Sequence, residues 1–234
     1  MRVLVVNAGS SSLKLRVLDG HDRVVGRADL GPVRDLPPGR VATAIRELGG
    51  RRSLAAVGHR VVHGGERYRA PVLVDDRVRH DLEALTEMAP LHQPAALAAL
   101  DAVTAALPDV PTVACFDTAF HATLPPAAAT YAVPAAWRHE LGLRRYGFHG
   151  LSHAYASRRA AEVAAAGGTP AARVVTCHLG AGASLAAVRD GRSVDTTMGF
   201  TPLDGLVMAT RSGSLDPSTV PWLVRRHGLP LAEV

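Results

Sequence analysis

Two turns in this sequence are composed to surround an anion. Asn7-Ala8-Gly9-Ser10-Ser11-Ser12 follows the apolar run Val3 to Val6, so its polar groups sit at an exposed strand end. Gly9 permits backbone conformations closed to other residues. Three hydroxyls, one amide and successive N–H groups are all donors for an anion, although a Ser-rich hairpin with no ligand has the same composition. The Walker spacing GxxxxGK[ST] is absent, and a strand rather than a helix is expected next. Lys14 is the only lysine in the chain. Where every other basic position is Arg, a compact ammonium beside this turn argues for phosphate. His178-Leu-Gly-Ala-Gly-Ala-Ser184 repeats the logic: Gly180 and Gly182 leave the backbone bare on either side of Ala181. Together the turns predict a phosphate chain held between two hairpins across a cleft.

Further side chains could complete such a site. Gly58-His-Arg-Val-Val-His-Gly-Gly65 runs a strand into a glycine turn, carrying Arg60 and His63. Arg60 there either grips a carboxylate or phosphoryl group through two N–H groups, or closes a surface ion pair. Asp117 ends the apolar run Val113 to Phe116, at the edge where α/β folds bind ligands, or else it caps the following helix. Tyr146-Gly-Phe-His149-Gly-Leu-Ser-His153 places two histidines four apart ahead of an Ala-rich helix. A metal would need a third ligand, and a metalloprotease would need HExxH; neither is evident. Because a helix N-terminus favours anions, His149 reads as a donor to phosphoryl oxygens and His153 as a hydrogen-bonded structural residue. Arg211, in the Gly- and Pro-punctuated loop 198–217, is a second oxyanion clamp. Two arginines and a histidine around one point suit phosphoryl transfer, where alignment and charge neutralisation supply most of the catalysis.

The elements that must position these residues alternate between strand and helix, which predicts an α/β fold. Strands are expected at 3–6, 13–18, 23–30, 54–62 and 111–116, and helices at 41–48, 75–88, 94–106 and 151–166. A shift of 171 residues aligns Val3 with Val174, Gly9 with Gly180 and Asp19-Gly20 with Asp190-Gly191 without a gap. The chain is therefore expected to hold two copies of one strand–turn–strand–turn–strand unit, each opening a domain: 1–120, and 121–234. The second copy stops after one further helix and a turn, so the second domain is expected to be incomplete at its C-terminus.

Composition excludes other classes. With 47% hydrophobic residues a buried core is expected. The net charge of +5 comes from scattered Arg, and at 4% aromatics there are few stacking platforms, which argues against a nucleic-acid partner. The opening apolar stretch is too short for a signal peptide or membrane span, so a cytoplasmic protein with no membrane partner is expected. Cys115 and Cys177 lie in apolar runs and are expected to be buried, reduced thiols.

The motifs at 7–14, 58–65, 116–121 and 146–153 and the Arg211 loop, in this order, resemble those of acetate kinases. That family belongs to the sugar kinase/Hsp70/actin superfamily of duplicated ribonuclease-H-like domains, and the likeness runs from residue 1 to about residue 217. The resemblance implies transfer of a phosphoryl group from ATP to acetate, with Mg²⁺, in a homodimer. It implies that Arg60 and Arg211 hold the carboxylate and the moving group, that His149 donates to its oxygens, and that Asp117 orients the arginines. Asn7, Ser10, Ser12 and Lys14 would lie along the ATP phosphates, with Asn7 a Mg²⁺ contact and His178, Gly180, Ala181 and Gly182 opposite. Val62, Leu91, Phe148 and Pro202 would receive the methyl group, with His92 and His153 in support. Propionate or butyrate kinase, or a non-catalytic ATP-binding protein of the Hsp70/actin type, are the alternatives. Two residues depart from the family's pattern: Ala181 for the usual Asn, which removes a hydrogen bond of about 1 kcal/mol, and Ser214 for the usual Asp. The family's adenosine pocket and an acidic Mg²⁺ ligand would lie beyond residue 234. The 234-residue polypeptide alone is therefore expected to bind nucleotide poorly and turn over little.

Overall fold

The computed structural model describes residues 1–9, 11–50, 54–90 and 92–234. Ser10 and Leu91, two of the expected site residues, lie outside the described residues. Six strands form one sheet: β1 Val3–Ala8, β2 Leu13–Leu18, β3 Val24–Leu30, β4 Ala56–Val61, β5 Val72–Leu73 and β6 Thr112–Phe116, in the order β3-β2-β1-β4-β6-β5. β1, β2 and β3 run antiparallel, β1, β4 and β6 run parallel, and short β5 closes the edge antiparallel to β6. This mixed α/β order is that of a ribonuclease-H-like unit.

Period-two burial creates the core. Leu4, Val6 and Ala8 of β1, Leu13, Leu15 and Val17 of β2, and Val57 of β4 are buried on one face. Helices α1 Arg40–Glu47 and α3 Gln93–Ala106 cover that face with Val41, Ala44, Ile45, Ala99 and Val103. Pro94 sits in the first turn of α3, where its missing N–H costs no helix bond. Helix α2, Asp76–Ala84, starts where the Asp75 carboxylate accepts from Val78 N–H at 2.7 Å. A separate cluster, Val61, Leu82, Leu97 and Phe116, anchors the ends of β4 and β6 beneath Arg60 and Asp117.

After short helices α4 Pro126–Ala129 and α5 Ala135–Glu140 comes α6, Gly150–Ala166. α6 closes where Gly168 adopts φ 77°, a left-handed conformation that suits glycine. It packs on a second sheet, β7 Arg173–Leu179, β8 Ala183–Arg189 and β9 Arg192–Thr196, an antiparallel meander like β1–β3. Last comes α7, Thr219–His227. Among the described residues no helix is long and apolar enough to cross a membrane.

Two expectations need correction. The gap-free repeat is off by one in its second strand. Ala8 and Leu13 pair across four loop residues, 9–12, whereas Leu179 and Ala183 pair across three, 180–182. The second hairpin is thus tighter than the first. Cys177 is exposed rather than buried, and Cys115 is half-buried; both are free. The reason is strand alternation: α6 covers the face of β7 that carries Thr176, and Val175, Cys177 and Leu179 point the other way. The expected boundary at 120/121 falls inside the 3-10 turn Ala119–Thr123, whose Thr123 hydroxyl donates to Ser193 O in β9.

Candidate active site

β1, β4 and β6 deliver three side chains to one point. Asn7 is at the end of β1, Arg60 is one residue before the end of β4, and Asp117 directly follows β6. The Arg60 guanidinium donates to Asp117 through Nε (3.0 Å to Oδ2) and Nη2 (2.6 Å to Oδ2), and through Nη1 to Asn7 Oδ1 at 2.9 Å. Asp117 is 3% exposed at its side chain and Arg60 30%, so this is no surface ion pair. Nor does Asp117 cap the turn after it, because the carboxylate is committed to Arg60. Burial alone would lower the Arg60 pKa, but the adjoining Asp117 charge and hydrogen bonds outweigh it and raise the pKa above its ordinary value.

The backbone of Asp117 is held from behind. Gly150 N–H donates to Asp117 O at 2.8 Å, and a side chain at 150 would run into that oxygen and into Phe120 Cβ. Only glycine fits there. This contact ties the first turn of α6 to the end of β6.

His149 caps α6 in a left-handed conformation, φ 57° and ψ 21°, uncommon for a residue with a Cβ. Its ring stacks on His178 with centroids 4.0 Å apart, and its Nδ1 lies 2.8 Å from Ser184 Oγ. The other nitrogen, Nε2, faces the 180–182 turn: a Cβ on Gly182 would lie 3.2 Å from His149 Nε2 and 3.5 Å from Arg211 Nη1. Arg211 donates through Nη1 to Pro202 O at 3.0 Å, which holds the loop arginine beside the same turn.

These groups share one cleft of about 760 Å³. Asn7, Lys14, Arg60, His92 and Asp117 line it from the first sheet and its connections. His149, His178, Ala181, Gly182, Pro202 and Arg211 line it from the second half, with Val62 and Phe148 as its apolar floor. Three expected residues, Ser12, Gly180 and His153, are not brought to the wall: Ser12 and Gly180 are used within their own turns, Ser12 O accepting from Gly9 N–H and Gly180 N–H donating to Gly182 O. His153 is buried behind the wall, within α6 rather than ahead of it. Residues not singled out from sequence also line the cleft, notably Ser11, Ser152 and Tyr155. Ser152 Oγ lies 2.9 Å from His178 Nδ1 and so orients the stacked ring. Its signal was readable, one residue before His153 on the first turn of α6. Ser214 now has an account: its hydroxyl donates to Asp204 Oδ1 at 2.6 Å, a place where an Asp would set two carboxylates together.

Arg60, Arg211 and Lys14 bring positive charge to the site, and burial pushes two of its histidines, His92 and His149, toward the neutral form. Burial, then His178, Arg60, His153 and Arg211, push the His149 pKa down to about 3. Burial likewise brings His59, His63, His121 and His153 to about 4. The linkage has a definite sign. Below 6.5, the ordinary value, the unfolded chain takes up protons that the folded chain refuses until about pH 4. Stability from these four rings is therefore complete above pH 6.5 and falls through the window from 6.5 to 4, by roughly 1 kcal/mol per pH unit for each ring. Urea unfolding at pH 7 and pH 5 should give a lower midpoint at pH 5. An unchanged midpoint would mean that the rings ionise in place.

Comparison with known proteins identifies the family of the chain. The profile of the Acetokinase family matches residues 41–234. An acetate kinase from Deinococcus radiodurans is 46% identical over the whole chain, and acetate kinase 2 from Listeria monocytogenes is 42% identical. The chain spans 65% and 66% of the lengths of these two curated relatives. Among solved structures, a propionate kinase from Francisella tularensis superposes with TM-score 0.87 at 35% identity, covering 99% of this chain and 66% of that one. An acetate kinase from Porphyromonas gingivalis gives 0.84 at 34% identity, covering 99% and 65%.

Proposed function

Since the chain belongs to the Acetokinase family, we propose that it moves a phosphoryl group reversibly between ATP and acetate, giving acetyl phosphate and ADP. The observation that supports this reading is the one cleft lined by the Arg60–Asp117 pair, His149 and Arg211, where the bare backbone of Gly182 lets His149 Nε2 and Arg211 Nη1 come close together. A group with three equatorial oxygens placed there meets two guanidinium groups and one imidazole N–H, which neutralise charge without forming a bond to it. Arg60 holds the acetate carboxylate, Asp117 fixes the plane of Arg60, and Val62, Phe148 and Pro202 receive the methyl group, with Leu91 as the fourth proposed wall. Lys14, Ala181 and the N–H groups of the two turns run along the nucleotide phosphates, with Ser10 proposed beside them and Ser12 and Gly180 shaping the turns from within. Ala181 contributes backbone only. Transfer is direct and in line, because Asp117, the sole carboxylate lining the cleft among the described residues, is occupied by Arg60.

Mg²⁺ fits as an ion carried on the phosphates. Among the described residues no three His, Cys, Asp or Glu form a cation cage, and Mg²⁺ commonly takes few protein ligands beside phosphate oxygens and water. Asn7 is its proposed protein contact; bound there, the ion would supply further neutralisation of phosphate charge. The homodimer and the cytoplasmic location remain part of the proposal.

Propionate is the second acceptor to consider, because the Francisella relative is named a propionate kinase. One methylene changes discrimination by only about 1–3 kcal/mol, so kcat/KM for acetate, propionate and butyrate ranks the acceptors. A non-catalytic nucleotide switch would have no use for two arginines and a histidine at one point. The test is formation of acyl phosphate from ATP and acetate by the protein as its host makes it, trapped with hydroxylamine. Hydroxamate should accumulate with ADP, and Gly182→Ala should cut it about 10-fold by pressing a methyl group against His149 Nε2 and the Arg211 guanidinium. ATP binding with no hydroxamate from any of the three acids would overturn the kinase reading.

A further inference from the structure

His149 can donate toward a phosphoryl oxygen only if its proton is on Nε2, and nothing in an isolated imidazole enforces that choice. Behind it runs a line of groups with no role in the reading above. His149 Nδ1 lies 2.8 Å from Ser184 Oγ, and Ser184 Oγ lies 2.8 Å from His153 Nε2. His153 Nδ1 lies 2.7 Å from Thr176 Oγ1. His153, Ser184 and Thr176 are all buried, Ser184 completely, so the line is shielded from water. Both rings are neutral, as burial and the nearby positive groups require.

A hydroxyl has one proton to give, so each hydrogen bond fixes the direction of the next. Two directions are self-consistent. In the first, Thr176 donates to His153 Nδ1, His153 Nε2–H donates to Ser184, and Ser184 donates to His149 Nδ1, leaving Nε2–H of His149 toward the cleft. In the second, every bond is reversed, and Thr176 must give its proton to Ala186 O at 3.4 Å, past the normal range. The first direction spends the Thr176 proton on the 2.7 Å contact instead. It also presents a donor, not a lone pair, to an incoming oxyanion.

We propose that Thr176, His153 and Ser184 form a one-way hydrogen-bond chain that holds His149 in its Nε2–H tautomer. They are positioning residues, acting on the reaction only through His149. The value of the chain rests on the phosphoryl-transfer reading, but its existence does not.

Selective ¹⁵N-histidine labelling with long-range ¹H–¹⁵N correlation reads the tautomer of each ring directly, with His149→Ala for assignment. Both His149 and His153 should carry the proton on Nε2 in the unliganded chain. His121 is the internal reference, since its Nε2 faces Phe148 O at 3.0 Å and Ser184 is not among its partners. In Ser184→Ala, His149 should become a mixture of tautomers while His121 is unchanged, and Ser184→Thr should restore the single form. Thr176→Val should release His153 in the same way from the far end. In the protein as its host makes it, Ser184→Ala should lower kcat about 10-fold with KM for acetate within about twofold. A proton on Nδ1 of His149 in the wild type, or an unshifted His149 in Ser184→Ala with His121 intact, would overturn the chain. Should the tautomers be as stated but no acyl phosphate form, the chain stands and the kinase reading fails.

Discussion

Replacing Arg211 by Ala should lower kcat for acyl phosphate formation by about 10³-fold, while the unfolding midpoint stays where it was. The arginine sits in a loop, partly exposed, and its guanidinium is held by Pro202 O and a 3.5 Å contact to Met208 sulfur, with no carboxylate paired to it among the described residues. Removing it leaves no buried charge unpaired, so the stability change should be within about 0.5 kcal/mol. The rate loss is the scale expected when an arginine that neutralises a moving phosphoryl group is removed, and corresponds to roughly 4 kcal/mol of transition-state stabilisation. Steady-state kinetics beside urea unfolding of the same preparation reads both quantities. A loss of stability with an unchanged rate would assign Arg211 to the loop's structure instead.

Arg60→Ala should behave differently, losing both properties at once. Asp117 is almost wholly buried and its carboxylate depends on Arg60 for three hydrogen bonds. Deleting the guanidinium strands that charge, at a cost of about 3 kcal/mol, toward the lower end for buried pairs because Arg60 is partly exposed. Activity should fall by at least about 10³-fold. Adding Asp117→Asn to Arg60→Ala should return much of the stability and none of the activity, since the uncompensated charge goes but the acetate clamp stays lost. If the double variant recovers transfer, Arg60 is a structural partner of Asp117 and not a clamp.

The contrast between the two arginines was not legible in the sequence. Arg60 was expected on a strand running into a glycine turn and Arg211 in a Gly- and Pro-punctuated loop, and both were read as clamps for the same charge. What separated them was the parallel pairing of β4 with β6, which sets Arg60 opposite Cys115 and carries Asp117 over its guanidinium. Such a register joins residues far apart in the chain, and local composition does not encode it. Local features were legible: the turn at 180–182, the helix after Gly150 and the strand β1 all follow from glycine placement and apolar runs. Cys177 was misjudged because an apolar run identifies a strand but not which of its faces a helix will cover. Ser184 was passed over for a related reason. Its importance lies in two histidines reached across β8 and α6, which only packing brings to one hydroxyl.

The account stands or falls on where the phosphoryl group moves. A crystal structure of the protein as its host makes it, with ADP, Mg²⁺, acetate and a planar metal fluoride, locates that point. The fluoride plane is predicted beside Gly182, within hydrogen-bond distance of Arg60, His149 Nε2 and Arg211, with the acetate methyl against Val62 and Phe148. Fluoride bound elsewhere on the chain, or in this cleft with either guanidinium turned away from it, would contradict the account.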